Sequence, residues 1–284
     1  MSAEVTYQQA LQAARKLLQQ GVGSEDSRLD CEILLAYTIK KSRTFVHTHP
    51  EYSLTSDEYT VFQNLILQRQ QGMPIAYIIQ NRAFWSLSFK VNQHTLIPRP
   101  ETELLIAVIL QKLQHLPDAE ILDLGTGCGT IAVTLAHEKP YWQLIATDLS
   151  FPALIIAQEN ASNFNCKNVR FINNDWFAAI SITKKFHAII ANPPYIAETD
   201  PHLQLGDVRF EPRHALISSN DGYADLKYII NHSIGRLVKN GLLLLEHGYQ
   251  QKDQVLKMLK ECGYVQIDSY KDWQGNDRVS IGQV

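Results

Sequence analysis

Apolar and polar positions alternate between residues 85 and 91, with Trp85, Leu87, Phe89 and Val91 set against Ser86, Ser88 and Lys90. Such a period of two predicts a strand or hairpin, and it separates two regions of different pattern. Ahead of it the spacing is helical. Leu11, Ala14, Leu17 and Leu18 form a stripe that predicts a first helix closed by Gly21. Ser27, with Asp30 three residues on, opens a second helix that carries Ile33, Leu34 and Tyr37 on one face. Thr55 and Glu58 form the capping pair of a third, which bears Tyr59, Phe62 and Ile66 and stops at Gly72 ahead of Pro74. A small helical bundle follows from these three stripes. Beyond Pro100 a helical segment at 101–114 leads into apolar runs at 119–124, 143–149, 169–174 and 186–191, separated by helical patterns. This alternation implies a parallel, doubly wound sheet. A helix at 223–238, a run at 242–246 and two tail runs at 264–269 and 278–282 bring the strand count to seven.

Composition narrows the class without changing that picture. With 45% hydrophobic and 19% charged residues, the 284-residue chain can bury a sizeable core, which excludes disordered and fibrous proteins. The net charge of −3 supplies no global positive field to attract a phosphate backbone. Cys31, Cys128, Cys166 and Cys262 form no C-x-x-C pair, so neither a disulfide framework nor a zinc site is indicated. Residues 1–21 lack the regions of a secretory signal, and apolar runs such as 242–245 are far shorter than the roughly 20 residues of a membrane span. A cytoplasmic protein that contacts no membrane is expected.

The candidate chemistry sits at the predicted strand ends. The first strand of the sheet runs into Asp123-Leu124-Gly125-Thr126-Gly127-Cys128-Gly129, whose glycines let the backbone approach a ligand. The spacing is G-x-G-x-G; the dinucleotide fingerprint is G-x-G-x-x-G, which brings a helix N-terminus to a pyrophosphate. Asp148, nineteen residues after Gly129, ends the next strand, where a carboxylate can accept hydrogen bonds from both ribose hydroxyls. Asn174-Asp175-Trp176 ends the third, placing an aromatic face where an adenine would lie. Taken alone, the glycines could simply make a tight turn and Asp148 could cap the next helix. The fourth strand delivers Asn192-Pro193-Pro194-Tyr195 to the same edge. An amide nitrogen is a poor nucleophile because its lone pair is delocalised, so a catalyst must accept hydrogen bonds from its N–H groups. The Asn192 side-chain oxygen and the Pro193 carbonyl offer two acceptors, the prolines make them rigid, and Tyr195 can stack on a planar group. A sulfonium methyl donor is activated enough that positioning suffices, and no general base is assigned. An isolated N-P-P-Y could equally be a turn that closes a strand.

Motifs of the type [D/N/S]-P-P-[Y/F/W] are known from methyltransferases of adenine or cytosine amino groups and of glutamine amides, and the motif alone does not separate them. The whole chain resembles the HemK/PrmC family of protein-(glutamine-N5) methyltransferases. The resemblance is carried by Phe84-Trp85-Ser86-Leu87, Leu96-Ile97-Pro98-Arg99-Pro100-Glu101-Thr102-Glu103, Asp123 to Gly129, Asp175-Trp176-Phe177 and Asn192-Pro193-Pro194-Tyr195-Ile196. Phe210-Glu211-Pro212, Leu244-Leu245-Glu246-His247-Gly248 and Asp277-Arg278-Val279 extend it toward the end. It implies an α/β fold: a seven-stranded, doubly wound, Rossmann-like sheet of the class I methyltransferase type over 101–284, a helical substrate-recognition domain over 1–75, and a hairpin linker at 76–100. The implied cofactor is S-adenosylmethionine, with S-adenosylhomocysteine as product. The implied substrate is the Gly-Gly-Gln loop of class-1 peptide chain release factors. Carried over by residue, cofactor contacts fall on Gly125, Thr126, Gly127, Cys128, Gly129, Asp148, Trp176 and Asn192. Catalysis falls on Asn192, Pro193 and Tyr195, and substrate binding on these three with Pro194. The competing expectation is a nucleic-acid methyltransferase acting on adenine N6. Against it stand the net charge and the absence of a Lys/Arg cluster interleaved with aromatics. Two positions depart from the family: Cys128, where a Thr, Ser or other small residue is usual, and Gln80, where a glycine is usual.

Other signals point less far. His47 and His49 have no further ligand at metal spacing, so no metal is expected. Glu246-His247 could be an acid–base pair, but a histidine beside Gly248 at a strand end reads first as structural. Arg99 and Glu101 could line the cofactor cavity or form a salt bridge at a helix start. The loop at 197–214 is rich in charged and histidine residues, among them Asp200, His202, Asp207, Arg209, Glu211 and Arg213, and reads as a substrate lid or as plain surface.

Overall fold

A computed structural model describes residues 5–19 and 27–284; the helix-closing role expected of Gly21 lies outside them. The chain forms two compact units, Met1–Asn81 with Pro201–Phe210, and Arg82–Asp200 with Glu211–Val284. The first unit contains α1 (Tyr7–Gln19), α2 (Ser27–Thr38), α3 (Arg43–Thr48), α4 (Ser56–Gln70) and the short α5 (Ile75–Ile78). Thr55 caps α4 as its sequence predicts: its hydroxyl accepts from the Glu58 N–H at 3.2 Å, and the Glu58 carboxylate accepts from the Thr55 N–H at 2.9 Å. Along α1 the buried positions are Tyr7, Ala10, Ala14 and Leu18, close to the predicted stripe. In α2 the face turns away from the prediction, because this helix packs against α1, α3 and α4 at once. Cys31, Leu34 and Leu35 are buried, while Tyr37 is 49% exposed.

That rotation also buries Glu32, which no apolar pattern anticipates. Arg28 and Arg43 donate to its carboxylate at 2.9 Å, Arg15 at 3.3 Å, and the His47 ring lies 3.1 Å away. Burial alone would raise its pKa, but the guanidinium hydrogen bonds and the His47 charge outweigh it and hold the carboxyl at about 2. A carboxyl depressed by folding contributes stability above its unfolded value near 4.5, and that contribution is lost as pH falls toward about 2. The melting temperature should therefore drop across this window, and Glu32→Gln should flatten the drop; equal slopes in parent and variant would refute the assignment. Arg69 joins two further segments of this unit, donating to Asp30 at 2.7 Å and to Asp207 at 2.9 Å.

The second unit begins at the hairpin β1 (Asn81–Phe84) and β2 (Leu87–Lys90), whose first residue belongs to the helical unit. Phe89 and Val91 point inward as the alternation requires, but Trp85 occupies the turn, with φ +55°. Gln80 has φ +52°, a conformation glycine adopts without strain, which accounts for the glycine usual at this position. A 3-10 turn at Pro100–Thr102 leads into α6 (Glu103–Lys112), and then come β3 (Glu120–Leu124), α7 (Thr130–Glu138), β4 (Gln143–Asp148), α8 (Phe151–Asn163), β5 (Val169–Asn173) and β6 (Phe186–Ala191). After a stretch of short 3-10 turns follow α9 (Ser219–Gly222), α10 (Ala224–Ser233), β7 (Leu237–Glu246), α11 (Lys252–Glu261), β8 (Val265–Lys271) and β9 (Asp277–Gln283).

The seven strands lie in the order β5-β4-β3-β6-β7-β9-β8. Five are parallel; β9 runs antiparallel between β7 and β8, so the sheet is mixed. The strand expected at 242–246 starts earlier, at Leu237, and the helix expected through 238 stops at Ser233. Leu237 pairs with Phe186 before the register shifts, and Asn240, with φ +64°, belongs to that irregular stretch. The chain order reverses between β3 and β6. In open α/β sheets, ligands bind at the carboxyl ends of the strands flanking such a switch point.

Candidate active site

The loop after β3 bends through three left-handed glycines, Gly125, Gly127 and Gly129, with φ of +71°, +58° and +88°. Two of them also face close neighbours. A Cβ on Gly125 would lie 3.3 Å from the Trp176 ring, and one on Gly129 would lie 3.0 Å from Val133 and 3.2 Å from Ala157. Asp123 ties the loop to α7, since its Oδ2 accepts from the Thr126 hydroxyl at 2.6 Å and from the Ala132 N–H at 3.2 Å. Burial pushes its pKa up to about 7, opposed by those two hydrogen bonds.

A cavity of about 310 Å³ opens against this loop, within the size range of small-ligand sites, about 300 to 1,000 Å³. Of the strand-end residues singled out in the sequence, Gly125, Gly127, Asp148, Asn174, Asp175, Trp176, Asn192 and Pro194 line it. Thr126, Cys128 and Gly129 do not. Cys128 is 1% exposed, its thiol is 3.1 Å from the Thr130 hydroxyl, and burial pushes its pKa up to about 11, so it fills space as an unreactive thiol. Pro193 is buried, and the Tyr195 hydroxyl turns to Glu246 at 3.3 Å. Further wall residues are His94, Thr95 and Leu96, the last of which opens the Leu96–Glu103 motif, and His214, Ala215 and Ile217 at and after the end of the long loop. Their place on the wall is set by contacts distant in sequence, which no local pattern reveals.

An adenosine-type cofactor fits these walls. Asp148 Oδ2 accepts from the Gly127 N–H and Oδ1 from the Ser150 N–H, both at 2.8 Å, so the carboxylate is aimed and each oxygen keeps a lone pair for a hydroxyl. Burial raises its pKa, and these two bonds with the His214 charge oppose the rise. Gly127 has nothing within 4 Å of the position a Cβ would take, leaving backbone open to a ligand. The Trp176 indole N–H donates to Asp225 at 3.2 Å, which holds the ring in place, and Asn174 shapes the same turn through bonds to Trp176 and Ala179.

The residues set aside in the sequence take structural places. Arg99 pairs with the buried Glu211, which also accepts from the Ile97 N–H at 3.0 Å. Within the 197–214 loop, 201–210 belong to the helical unit, whereas beyond it Ile196 bridges Ile217 next to the N-P-P-Y turn. The His247 ring lies 2.9 Å from the Gly248 carbonyl and 2.8 Å from the Ser280 hydroxyl. A carbonyl only accepts, so Nδ1 carries the proton and Nε2 accepts from Ser280; burial lowers the ring's pKa and keeps it neutral. His49 stacks on Phe45 with centroids 4.2 Å apart.

Residues 9–79 match the family described as PrmC N-terminal domain, and residues 101–217 the family described as methyltransferase small domain. The chain is 42% identical to the release factor glutamine methyltransferase of Shewanella oneidensis over 283 residues, covering 100% of this chain and 98% of that protein. It is 43% identical to the release factor glutamine methyltransferase of Escherichia coli, covering 98% of each. Among solved structures, a methyltransferase from Pyrococcus furiosus superposes with a TM-score of 0.51 at 19% identity, covering 78% of this chain and 96% of that one, which shows the shared fold.

Proposed function

The chain belongs to the release factor glutamine methyltransferase family, and we propose that its Asn192-Pro193-Pro194-Tyr195 turn holds the substrate amide. The enzyme transfers a methyl group from S-adenosylmethionine, whose sulfonium supplies it in activated form, to the side-chain N5 of a release factor glutamine. The residues to hold the donor are Asp148 at the ribose hydroxyls, the backbone of the Gly125, Thr126, Gly127, Cys128 and Gly129 loop, Trp176 as an aromatic face, and Asn192. Asn192 and the Pro193 carbonyl accept the N–H bonds of the glutamine amide, so the charge growing on nitrogen meets fixed dipoles that need no reorganisation. Pro194 and Tyr195 flank the planar group.

The observation that carries this reading is the position of the turn. It ends β6, the strand paired with β3, whose own end bears the glycine loop, and Asn192 shares a cavity wall with Asp148 and Trp176. For the substrate we propose the Gly-Gly-Gln loop of class-1 release factors, with residues 1–75 recognising the factor, 76–100 linking, and 101–284 carrying out transfer. Cytoplasmic residence is supported by four free cysteines and by the lack, among the described residues, of a helix long and apolar enough to cross a membrane. Incubation with labelled S-adenosylmethionine and either release factor or duplex DNA tests the reading. Label should appear in the factor at the glutamine of that loop, and label in DNA alone would overturn it.

Asp148→Ala should weaken S-adenosylmethionine binding by about 1 to 3 kcal/mol, because ribose hydroxyls would lose their acceptor. Calorimetric titration giving the parent's affinity would remove Asp148 from the site.

A further inference from the structure

We propose that Glu246, acting through Thr102, is a positioning residue that dictates which end of the Asn192 amide faces the substrate. The inference rests on the reading of Asn192 as the acceptor for the glutamine N–H. Three side chains distant in sequence meet behind the N-P-P-Y turn. The Asn192 amide lies 3.1 Å from the Thr102 hydroxyl, which lies 2.7 Å from Glu246 Oε2, while Tyr195 reaches Oε1 at 3.3 Å. Thr102 is 4% exposed and Glu246 1%, so water cannot substitute for a missing partner.

Hydrogen-bond polarity then runs in one direction. An ionised carboxylate only accepts, so Thr102 must spend its single hydroxyl hydrogen on Glu246. What Thr102 can offer Asn192 is a lone pair. The Asn192 amide must therefore turn its NH₂ group to Thr102, which leaves Oδ1 for the cavity. Reversing the polarity at Glu246 would reverse the chain: Thr102 would donate to Asn192, Oδ1 would turn inward, and the NH₂ would confront the N–H groups of the substrate, donor against donor. A buried network fixed at every member in this way specifies a single arrangement.

The same geometry links the device to pH. Besides Thr102, the groups that face Glu246 are Tyr195, Arg278 from β9 and Glu101 from the turn ahead of α6. Burial, with a smaller push from Glu101, raises the carboxyl to about 7 against the Thr102 and Tyr195 hydrogen bonds and the Arg278 charge. A neutral Glu246 can donate, so the polarity is secure only above that value.

Three variants test the inference with release factor as substrate: Glu246→Gln, which keeps the shape and replaces one accepting oxygen by a donating NH₂, Thr102→Val, which removes the relay, and Thr102→Ser, which restores the hydroxyl. The first two should lower kcat about 10-fold to 100-fold. KM for the factor and Kd for S-adenosylmethionine should stay within about 3-fold, since neither ligand contact is removed. Thr102→Ser should recover most of the loss. Parent kcat should decline as pH falls below about 7, and that limb should vanish in Thr102→Val. If Glu246→Gln does not fold, Thr102→Val with its serine rescue decides. Near-parent kcat in a folded Thr102→Val, with the acid limb intact, overturns the positioning role. Asn192→Ala, measured alongside, separates the two levels. If it too keeps parent activity, the reading of Asn192 fails; if it alone is inactive, only the relay fails.

Discussion

Replacing Asn192 by alanine is expected to lower kcat about 100-fold to 1,000-fold, the cost of losing one preorganised transition-state partner, while S-adenosylmethionine and release factor still bind. The side chain occupies one point of the cavity wall, and Asp148, Trp176 and the glycine loop are untouched by its loss, so the donor keeps most of its contacts. The backbone of the turn is held independently of the Asn192 side chain. Gln251 donates to the Tyr195 carbonyl at 3.1 Å, Ile196 bonds Leu216, and Ala191 continues the β6 pairing with β3 and β7. The loss should therefore appear in the chemical step. Single-turnover methylation at saturating substrate is the decisive measurement, and transfer near the parent rate would reduce Asn192 to part of a turn.

Glu211→Ala should cost stability on the order of 3 kcal/mol, typical of breaking a buried ion pair. The Glu211 side chain is wholly buried, pairs with Arg99 and accepts the Ile97 N–H. Arg99 is 30% exposed and can recover some hydration, but Ile97, 4% exposed, has its N–H bond in the interior. The consequence should reach the cofactor as well. Glu211 pins Ile97 and Arg99, next to the wall residue Leu96, to the segment that leads into the wall residue His214. Urea denaturation should show the lower midpoint, and calorimetry a weaker affinity for S-adenosylmethionine. A variant equal to the parent in both would mean that other contacts hold these segments.

The elements with local causes were legible in the sequence. The Thr55/Glu58 capping box lies within four residues, the glycine loop within five, and Asp148 and the N-P-P-Y turn each end an apolar run; all take the expected structural places. What escaped depends on contacts across the chain. Thr102 and Glu246 are separated by 144 positions and carry no common pattern, so their bond appears only once β7 and the turn before α6 are in place. The rotation of α2 follows from three packing partners at once, and the charge cluster at Glu32 from that rotation. Strand order is equally hidden, because periodicity marks β8 and β9 as strands but says nothing of which one lies beside β7.

The placement of β9 orders events during synthesis. A ribosome delivers β7 well before residues 277–283, yet β9 is the strand that covers its far edge, pairing Glu246 with Val279. Until then Glu246 sits on an open strand edge, where nascent chains are most prone to wrong pairing. Domains generally fold as units as the chain emerges, N-terminal first, so the helical segments can settle early, whereas the carboxylate behind Asn192 is enclosed among the last events. A methylation-competent enzyme thus cannot precede its final strand, and nascent chains arrested before residue 277 should be inactive even where their helices are already protected from proteolysis.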